Sequence, residues 1–236
     1  MIKFENTDAY GWESAIRGMR NPMNSWDKSD SHYGCGEDGV CSKCSAYGCH
    51  DDGRIYIIGP NDLELMKKLV KAGSDHSKFM RMINVTVDIT APLYWWKEFD
   101  TYKVGTVRNS CSTMHKIHDK PFELDDFSHD QLFDMRSWSS IPDNARYGCN
   151  SMTALKAIVD LLNSLRTNYI NTQNKMYWYA MIQLLPSSYN QRATVQLNYQ
   201  VLWSMYHGRD HHKLDEWREG FCEWVKSLPY SELITE

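Results

Sequence analysis

The stretch INVTVDITAPLYWWKEF, residues 83–99, decides the fold of this chain. From Ile83 to Ile89, apolar residues alternate with polar ones, a period of two that is typical of a strand with one buried face. Pro92 favours the first turn of a helix, and the seven residues that follow it contain no helix breaker. The stretch therefore predicts a strand that leads at once into a short aromatic helix. The aromatic side chains expected in the core are Trp95, Trp96 and Phe99.

Helical patterns flank this stretch on both sides. Upstream, Asn61 is the expected N-cap of a helix whose apolar residues lie on one face, and Gly73 supplies its C-terminal stop. Downstream, Ser151 is expected to cap a helix with apolar residues at i, i+3, i+4 and i+7. Three further helices are predicted, from Met176 to Leu184, from Tyr189 to His207 and from Lys213 to Leu228.

The other long segments show neither period. Residues 1–52 carry scattered Gly, Ser, Asn and Asp, and residues 116–150 are polar and interrupted by Pro and Gly, so we expect both to be largely irregular. With strands before Pro92 and helices after Asn150, the pattern predicts a helix-rich α/β (α+β) fold. We expect a single domain over residues 1–236, with a Cys-rich irregular segment at 30–54.

Composition restricts the classes of partner. The chain has 26 Lys and Arg against 30 Asp and Glu, a net charge of -4, and lacks the basic excess that a long phosphate backbone requires. We therefore expect no nucleic-acid partner, whereas one or two placed cations are enough for a small phosphate ligand. The sequence shows no leader pattern and no apolar run near the roughly 20 residues of a bilayer span, so we expect a cytoplasmic protein with no membrane partner.

Four cysteines cluster in the first quarter of the chain, at Cys35, Cys41, Cys44 and Cys49. Four thiolates with a close central pair suit a tetrahedral zinc ion, and a bound metal would supply folding free energy to a segment without apolar periodicity. Free surface thiols in a loop are the alternative. Zinc is favoured over an iron–sulfur cluster because no wider cluster signature is present. Bound zinc and free thiols are both consistent with the spacing of these cysteines.

A polar segment rich in Ser, Thr and Asn follows the aromatic helix, where residues 101–113 read TYKVGTVRNSCST. When the Ala91-Pro92 dipeptide is aligned with the family's Ala-Pro, this segment lies opposite the pattern R-H-R-x-x-S-x-N-x-x-S-x-R. That pattern is the signature of the flavin-dependent thymidylate synthase family, which the chain resembles in this segment. Lys103 in place of Arg and Thr106 in place of Ser are conservative differences. Thr101-Tyr102 stands where the family has its initial Arg-His.

Flanking residues extend the resemblance in both directions. Upstream, residues 72–76, which end at His76, stand at a closely matching distance from the Ala-Pro dipeptide, where the family commonly has Gly-His-Glu-Thr. Downstream, Leu185-Pro186 precedes a stretch in which Asn198 and Arg209 keep the family's eleven-residue separation. The chain is therefore identified as a divergent relative with the flavin-dependent thymidylate synthase-like fold.

The resemblance implies a homotetramer whose active sites form between subunits and hold FAD, deoxyuridine monophosphate (dUMP) and a folate carbon donor. The implied reaction is reductive methylation of the uracil ring, with electrons passed from a reduced nicotinamide through the flavin. No protein nucleophile is needed, so no catalytic residue is assigned. Carried over by position, the cofactor-binding residues are His76, Lys103, Thr106, Arg108, Asn109 and Asn198. The substrate-binding residues are Glu98, Ser110, Ser112 and Arg209.

Some of these residues have an alternative role. Lys103 and Arg108 also fit a solvated charged loop, and Asn198 fits an ordinary surface position of a helix. Arg209 also fits a favourable interaction with a helix C-terminus. Loss of two signature arginines removes charge-assisted phosphate contacts worth about 1.5–3 kcal/mol each, so the second hypothesis is a non-catalytic protein that sequesters or senses a nucleotide on the same fold.

Overall fold

The structure is a computed structural model that describes residues 2–34, 55–132 and 151–236. The strands in these ranges are β1 (Lys3–Tyr10), β2 (His32–Gly34), β3 (Ile55–Ile57), β4 (Asn84–Pro92), β5 (Val107–Ser110) and β6 (Asn190–Asn198). The α-helices are α1 (Trp12–Arg20), α2 (Pro60–Lys71), α3 (Leu93–Phe99), α4 (Thr113–Lys116), α5 (Ser151–Thr172), α6 (Lys175–Leu184), α7 (Tyr199–Arg209), α8 (Cys222–Lys226) and α9 (Glu232–Thr235). A π-helical stretch, Glu216–Phe221, leads into α8.

The strands form two sheets. One has four strands in the order β1-β4-β6-β5, and the other pairs β2 with β3 in antiparallel register, with Tyr33 opposite Tyr56. In β4 the apolar residues Val85, Val87 and Ile89 are at most 1% exposed, and the polar residues between them are half-buried. The strand and the aromatic helix predicted from residues 83–99 are therefore confirmed, with Pro92 as the N-cap of α3.

Contacts divide the chain into two compact units. The first contains the described parts of Met1–Glu5, Asp88–Tyr102 and Arg108–Val195. Its core joins α5 and α6 to the segment before them, and its buried members are Ile117, Phe122, Phe127, Leu155, Val159, Leu162 and Met181. Asn163 on α5 binds the backbone of Phe122 twice, with distances of 2.8 and 2.9 Å, and so fixes that segment to the helix.

The second unit contains the described parts of Asn6–Val87, Lys103–Val107 and Gln196–Glu236. A buried ion pair connects its first two helices, because Arg20 Nε and Nη2 lie 2.7 and 2.6 Å from Asp62 Oδ1. The other carboxylate oxygen of Asp62 accepts the hydroxyls of Ser29 and Ser31, each at 2.6 Å. Burial acts to raise the pKa of Asp62, but these hydrogen bonds outweigh it and the pKa lies below its usual value.

The prediction of an irregular amino-terminal segment is wrong for the residues that the structure describes. Residues 1–52 were expected to be irregular, yet their described part contains β1, α1 and β2. The strand β1 is mostly exposed, so it lacks the alternation that identifies a half-buried strand. Helix α1 does have a period, since Trp12, Ile16 and Met19 are buried on one face, but three apolar residues make a short signal.

The prediction of one helix from Tyr189 to His207 is also wrong. Residues 190–198 form β6, in which buried Ala193, Val195 and Leu197 alternate with exposed polar residues. Helix α7 begins only after Asn198, its N-cap, so helices alone do not follow Asn150. Tertiary pairing with β4 and β5 decides the strand over a composition that also suits a helix.

The remaining helix boundaries move by a few residues. Helix α2 begins at Pro60 and not after Asn61, because the Asp30 carboxylate accepts the backbone N–H groups of Asn61 and Asp62 at 2.9 and 3.0 Å. Gly73, with a φ of 105°, follows α2 as the expected stop. Ser151, the expected N-cap of α5, is instead the first described residue of that helix. The helix-rich α/β fold class is confirmed.

The zinc prediction concerns residues outside the described ranges. The four-cysteine segment lies there, so zinc binding by Cys35, Cys41, Cys44 and Cys49 stays a prediction. Within the ranges that the structure describes, no group of three or more His, Cys, Asp or Glu side chains could hold a metal ion. No helix of those same ranges is long and apolar enough to cross a bilayer.

Candidate functional site

The segment that matches the family signature runs through a turn, β5 and the start of α4. Gly105 holds the turn with a φ of +79°, in the left-handed region. A Cβ atom at Gly105 would stand 3.0 Å from Nδ2 of Asn198 and 3.0 Å from a methyl group of Val201. The turn therefore packs directly on Asn198, whose side-chain oxygen accepts the N–H of Val201 at 3.1 Å and caps α7. The structure thus places Asn198 beside the signature turn and not on a helix surface.

Arg108 is held from three sides within the first unit. Its Nη1 lies 2.7 Å from both carboxylate oxygens of Asp100, and its Nη2 lies 2.6 Å from Oε1 of Gln191. The guanidinium carbon is 4.1 Å from the ring centroid of Trp96, which gives a cation–π contact. The Arg108 side chain is only 19% exposed, so it is not a solvated loop residue. Its charge is already compensated by Asp100.

Gln191 fixes the signature segment at further points. Its Nε2 donates to the carbonyl of Cys111 at 2.9 Å and to Oγ1 of Thr113 at 3.0 Å. The backbone N–H of Cys111 also donates to the carbonyl of Arg192 at 2.9 Å. One amide side chain therefore sets the path of residues 108–113. Gln191 was not among the predicted site residues, because it lies inside the stretch that was predicted as a helix from Tyr189 to His207.

The other predicted residues in and just before the signature segment range from exposed to half-buried. Lys103, Asn109 and Ser110 are exposed, and Ser112 accepts the N–H of His115 at 3.2 Å as the N-cap of α4. Glu98 on α3 is half-buried, and its carbonyl accepts the hydroxyl of Thr101 at 2.7 Å. Thr106 is also half-buried.

Two residues predicted from the flanks lie in the second unit. His76 is exposed in the turn after α2, where its N–H donates to the carbonyl of Gly73 at 3.0 Å. Arg209 lies in the last turn of α7, and its guanidinium carbon is 4.8 Å from the ring centroid of the buried Trp217. This contact is a third role for Arg209 besides the nucleotide and the helix end.

The predicted residues thus fall into two sets. Those of the first unit are Glu98, Arg108, Asn109, Ser110 and Ser112. Those of the second unit are His76, Lys103, Thr106, Asn198 and Arg209. Within the second unit the structure brings Asn198 to the signature turn, and within the first it brings Arg108 to Gln191.

Known structures share this architecture. The thymidylate synthase ThyX from Helicobacter pylori, complexed with FAD and dUMP, is 18% identical to the chain, with a TM-score of 0.61 and coverage of 99% of this chain and 97% of that one. The UMP/dUMP methylase PolB from Streptomyces cacaoi, bound to 5-Br dUMP, is 14% identical, with a TM-score of 0.56 and coverage of 100% and 94%. No protein-family model and no curated protein matches the chain. At these identities the comparison establishes the fold, and the chain has the fold of the flavin-dependent thymidylate synthases.

Proposed function

We propose that this chain binds a pyrimidine nucleoside monophosphate and FAD and methylates the uracil ring reductively. The observation that carries the proposal is the signature segment, which Arg108 and Gln191 hold in one conformation while Asn109 and Ser110 stay exposed. A binding segment fixed before the ligand arrives loses less conformational freedom on binding. The similar structures were solved with FAD and dUMP or with a bromo analogue of dUMP, which supports these ligand classes.

The residues around this segment suit a flavin nucleotide. Lys103 supplies an exposed ammonium group, and the exposed Asn109 and Ser110 supply neutral donors. Ammonium groups and neutral donors together are the types of group that bind phosphate oxygens in proteins. A bound FAD would supply the electrons for the methylation, with a folate as the carbon donor and a reduced nicotinamide as the electron source. Arg209 would orient the nucleotide through the planar fork of its guanidinium.

The assembly is proposed to be a cytoplasmic homotetramer. Among the described strands, β5 is the last in the order of its sheet; its first residue, Val107, is 65% exposed, and Val104 in the turn before it is 89% exposed. An open sheet edge with apolar neighbours is prone to pair with another chain. A second copy that covers this edge would complete a site shared between subunits.

One observation favours a second function. Thr101-Tyr102 replaces the initial Arg-His of the signature, and Arg108, which stands where the signature has Asn, is paired with Asp100 at 2.7 Å. Fewer cations are then available for the flavin phosphates. The second candidate is a non-catalytic protein that binds a nucleotide to sequester or sense it.

The absorbance spectrum and ligand titrations of the purified chain test these two functions. The first predicts flavin absorbance in the visible range, dUMP binding by calorimetry and formation of a methylated nucleotide when folate and reduced nicotinamide are added. A colourless protein that binds dUMP supports the second function. Failure to bind either FAD or dUMP contradicts both.

A matched pair of variants locates the phosphate contact. Lys103→Ala should weaken FAD binding, because it removes the exposed ammonium group of the signature turn. Lys97→Ala removes another exposed ammonium group, from α3, and should leave FAD binding unchanged. Equal effects of both substitutions would contradict a specific role for Lys103.

A further inference from the structure

A cleft of about 900 Å³ opens in the second unit, and none of its described lining residues belongs to the signature segment. Five of its lining residues are aromatic, namely Tyr10, Trp12, Tyr33, Tyr56 and Tyr230. Glu13 and Glu232 add two carboxylates, and the lining contributed by the described residues includes no Lys or Arg. Its volume lies in the range of small-molecule sites, about 300–1,000 Å³.

Contacts among the aromatic residues hold the walls of this cleft in place. Tyr33 and Tyr56 face each other across the β2–β3 pair with ring centroids 5.0 Å apart, edge to face. Trp12 and Tyr230 make a similar contact at 5.2 Å. The hydroxyl of Tyr230 accepts the N–H of Ile58 at 3.1 Å. The rings are therefore positioned by the protein before any ligand is present.

The rings also remain accessible. The side chains of Tyr10 and Tyr33 are 39% and 52% exposed, although large aromatic residues are usually well buried. An aromatic ring has a negative face, and a cation placed over it is attracted electrostatically.

The charged side chains that line the cleft, Glu13 and Glu232, are negative, as are the faces of the aromatic rings. Tyr33 donates its hydroxyl hydrogen to Oε2 of Glu13 at 2.8 Å, and this bond, with burial, holds the pKa of Tyr33 above its ordinary value. Two cations lie nearby without lining the cleft. Lys67 pairs with Glu232 at 3.4 Å, and Arg17 donates to the Ser14 hydroxyl at 3.5 Å. Among the described residues that line the cleft, the only charged side chains are the two carboxylates.

We infer that this cleft binds an organic ammonium ion, a ligand class independent of the nucleotide proposed for the signature segment. An anionic ligand is disfavoured, because the described lining residues include two carboxylates and no cation, and the nearby Lys67 pairs with Glu232 and not with Glu13. Aromatic faces combined with carboxylates are the chemistry by which proteins recognise quaternary and protonated amines. The aromatic walls offer ring faces to the ammonium group, and Glu13 supplies the opposite charge.

Titration of the full chain with choline and with its neutral isostere, 3,3-dimethylbutan-1-ol, separates charge from shape. Choline should bind about tenfold or more tightly than the alcohol, because only the ammonium interacts favourably with the rings and carboxylates. Spermidine, as a second cation, should also bind. Equal affinities for choline and its isostere, or no binding of either cation at millimolar concentration, would overturn the inference.

Substitutions place the binding in the cleft. Glu13→Gln and Tyr33→Ala should each weaken choline binding several-fold, whereas Tyr33→Phe should retain most of it because the ring remains. Tyr179→Ala is the control, since Tyr179 on α6 in the first unit is 57% exposed and lies outside the cleft. Circular dichroism checks that each variant is folded. Choline binding that is unchanged in folded Glu13→Gln and Tyr33→Ala variants would refute this location.

Discussion

Replacing Asp62 by Asn should destabilise the protein strongly, because Asp62 balances the charge of a buried arginine. The side chain of Asp62 is 0% exposed and that of Arg20 is 6% exposed. Removal of one partner from a buried ion pair leaves the other charge uncompensated and costs about 3–5 kcal/mol of unfolding free energy. The amide of the new Asn would also present donors where the Ser29 and Ser31 hydroxyls now donate to the carboxylate. Since domains of this size are stable by about 5–15 kcal/mol, the loss is a large share of the total.

Urea unfolding followed by circular dichroism measures this effect. A loss of that size should lower the thermal midpoint by roughly 6–20 °C for a chain of this length. Glu64→Gln is the matched control, because Glu64 lies on the same helix and pairs with Lys68 at 2.6 Å in an ion pair that is more than 60% exposed on both sides. The Glu64→Gln control should leave the thermal midpoint unchanged. A double variant, Arg20→Met with Asp62→Leu, should recover much of the lost stability.

The same residue predicts a pH dependence. The folded-state pKa of Asp62 lies below its unfolded value, so the carboxylate contributes stability above the unfolded pKa of about 3.9. That stability should be lost as the pH falls below this value and through the folded pKa. The Asp62→Asn variant should lack this part of the acid dependence. A variant within about 1 kcal/mol of the parent chain, with the same acid profile, would refute the assignment of Asp62 as the charge partner of Arg20.

Three further predictions concern binding. Gln191→Leu removes the hydrogen bonds to Arg108, Cys111 and Thr113. The dUMP affinity measured by calorimetry should therefore fall about tenfold, or roughly 1.4 kcal/mol. The control Gln196→Leu, at an exposed position of the same strand, should not change the dUMP affinity. Arg209→Ala should weaken dUMP binding by about 1.5–3 kcal/mol; unchanged affinity with a lower melting temperature would instead assign this residue to its packing on Trp217. Elemental analysis of protein purified without added metal should find about one zinc per chain, held by the four-cysteine segment, and zinc-free protein would leave free thiols as the explanation.

The sequence was informative where one period dominated a local stretch. The alternation in β4 and the helical face of α5 follow from residues that are close in the chain, and both were predicted. Strand β6 was missed although its buried residues also alternate, because the Tyr189–His207 stretch has no breaker and satisfies a helical pattern as well. Only its pairing with strands distant in sequence selects the extended form.

The candidate site also combines features that local sequence predicts with features that depend on distant contacts. Spacing singled out Asn198 and the signature segment, but it placed Asn198 inside a helix, whereas the structure has it as the N-cap of α7. The partners of Arg108 could not, because Gln191 is 83 residues away in the chain and Trp96 was assigned to the core alone. Contacts of this range depend on how the strands and helices come together, which no local pattern contains.

The close approach between the signature turn and Asn198 limits how the chain can be engineered. A designer who wished to restore the family motif would graft Arg-His-Arg onto residues 101–103 and Ser onto 106. Residue 105 lies inside that graft, and a side chain there would meet both the amide of Asn198 and a methyl group of Val201 at 3.0 Å. A donor loop with any other residue at 105 would displace the cap of α7 and carry the defect into that helix. The transplant is therefore compatible with this scaffold only if Gly105 is retained.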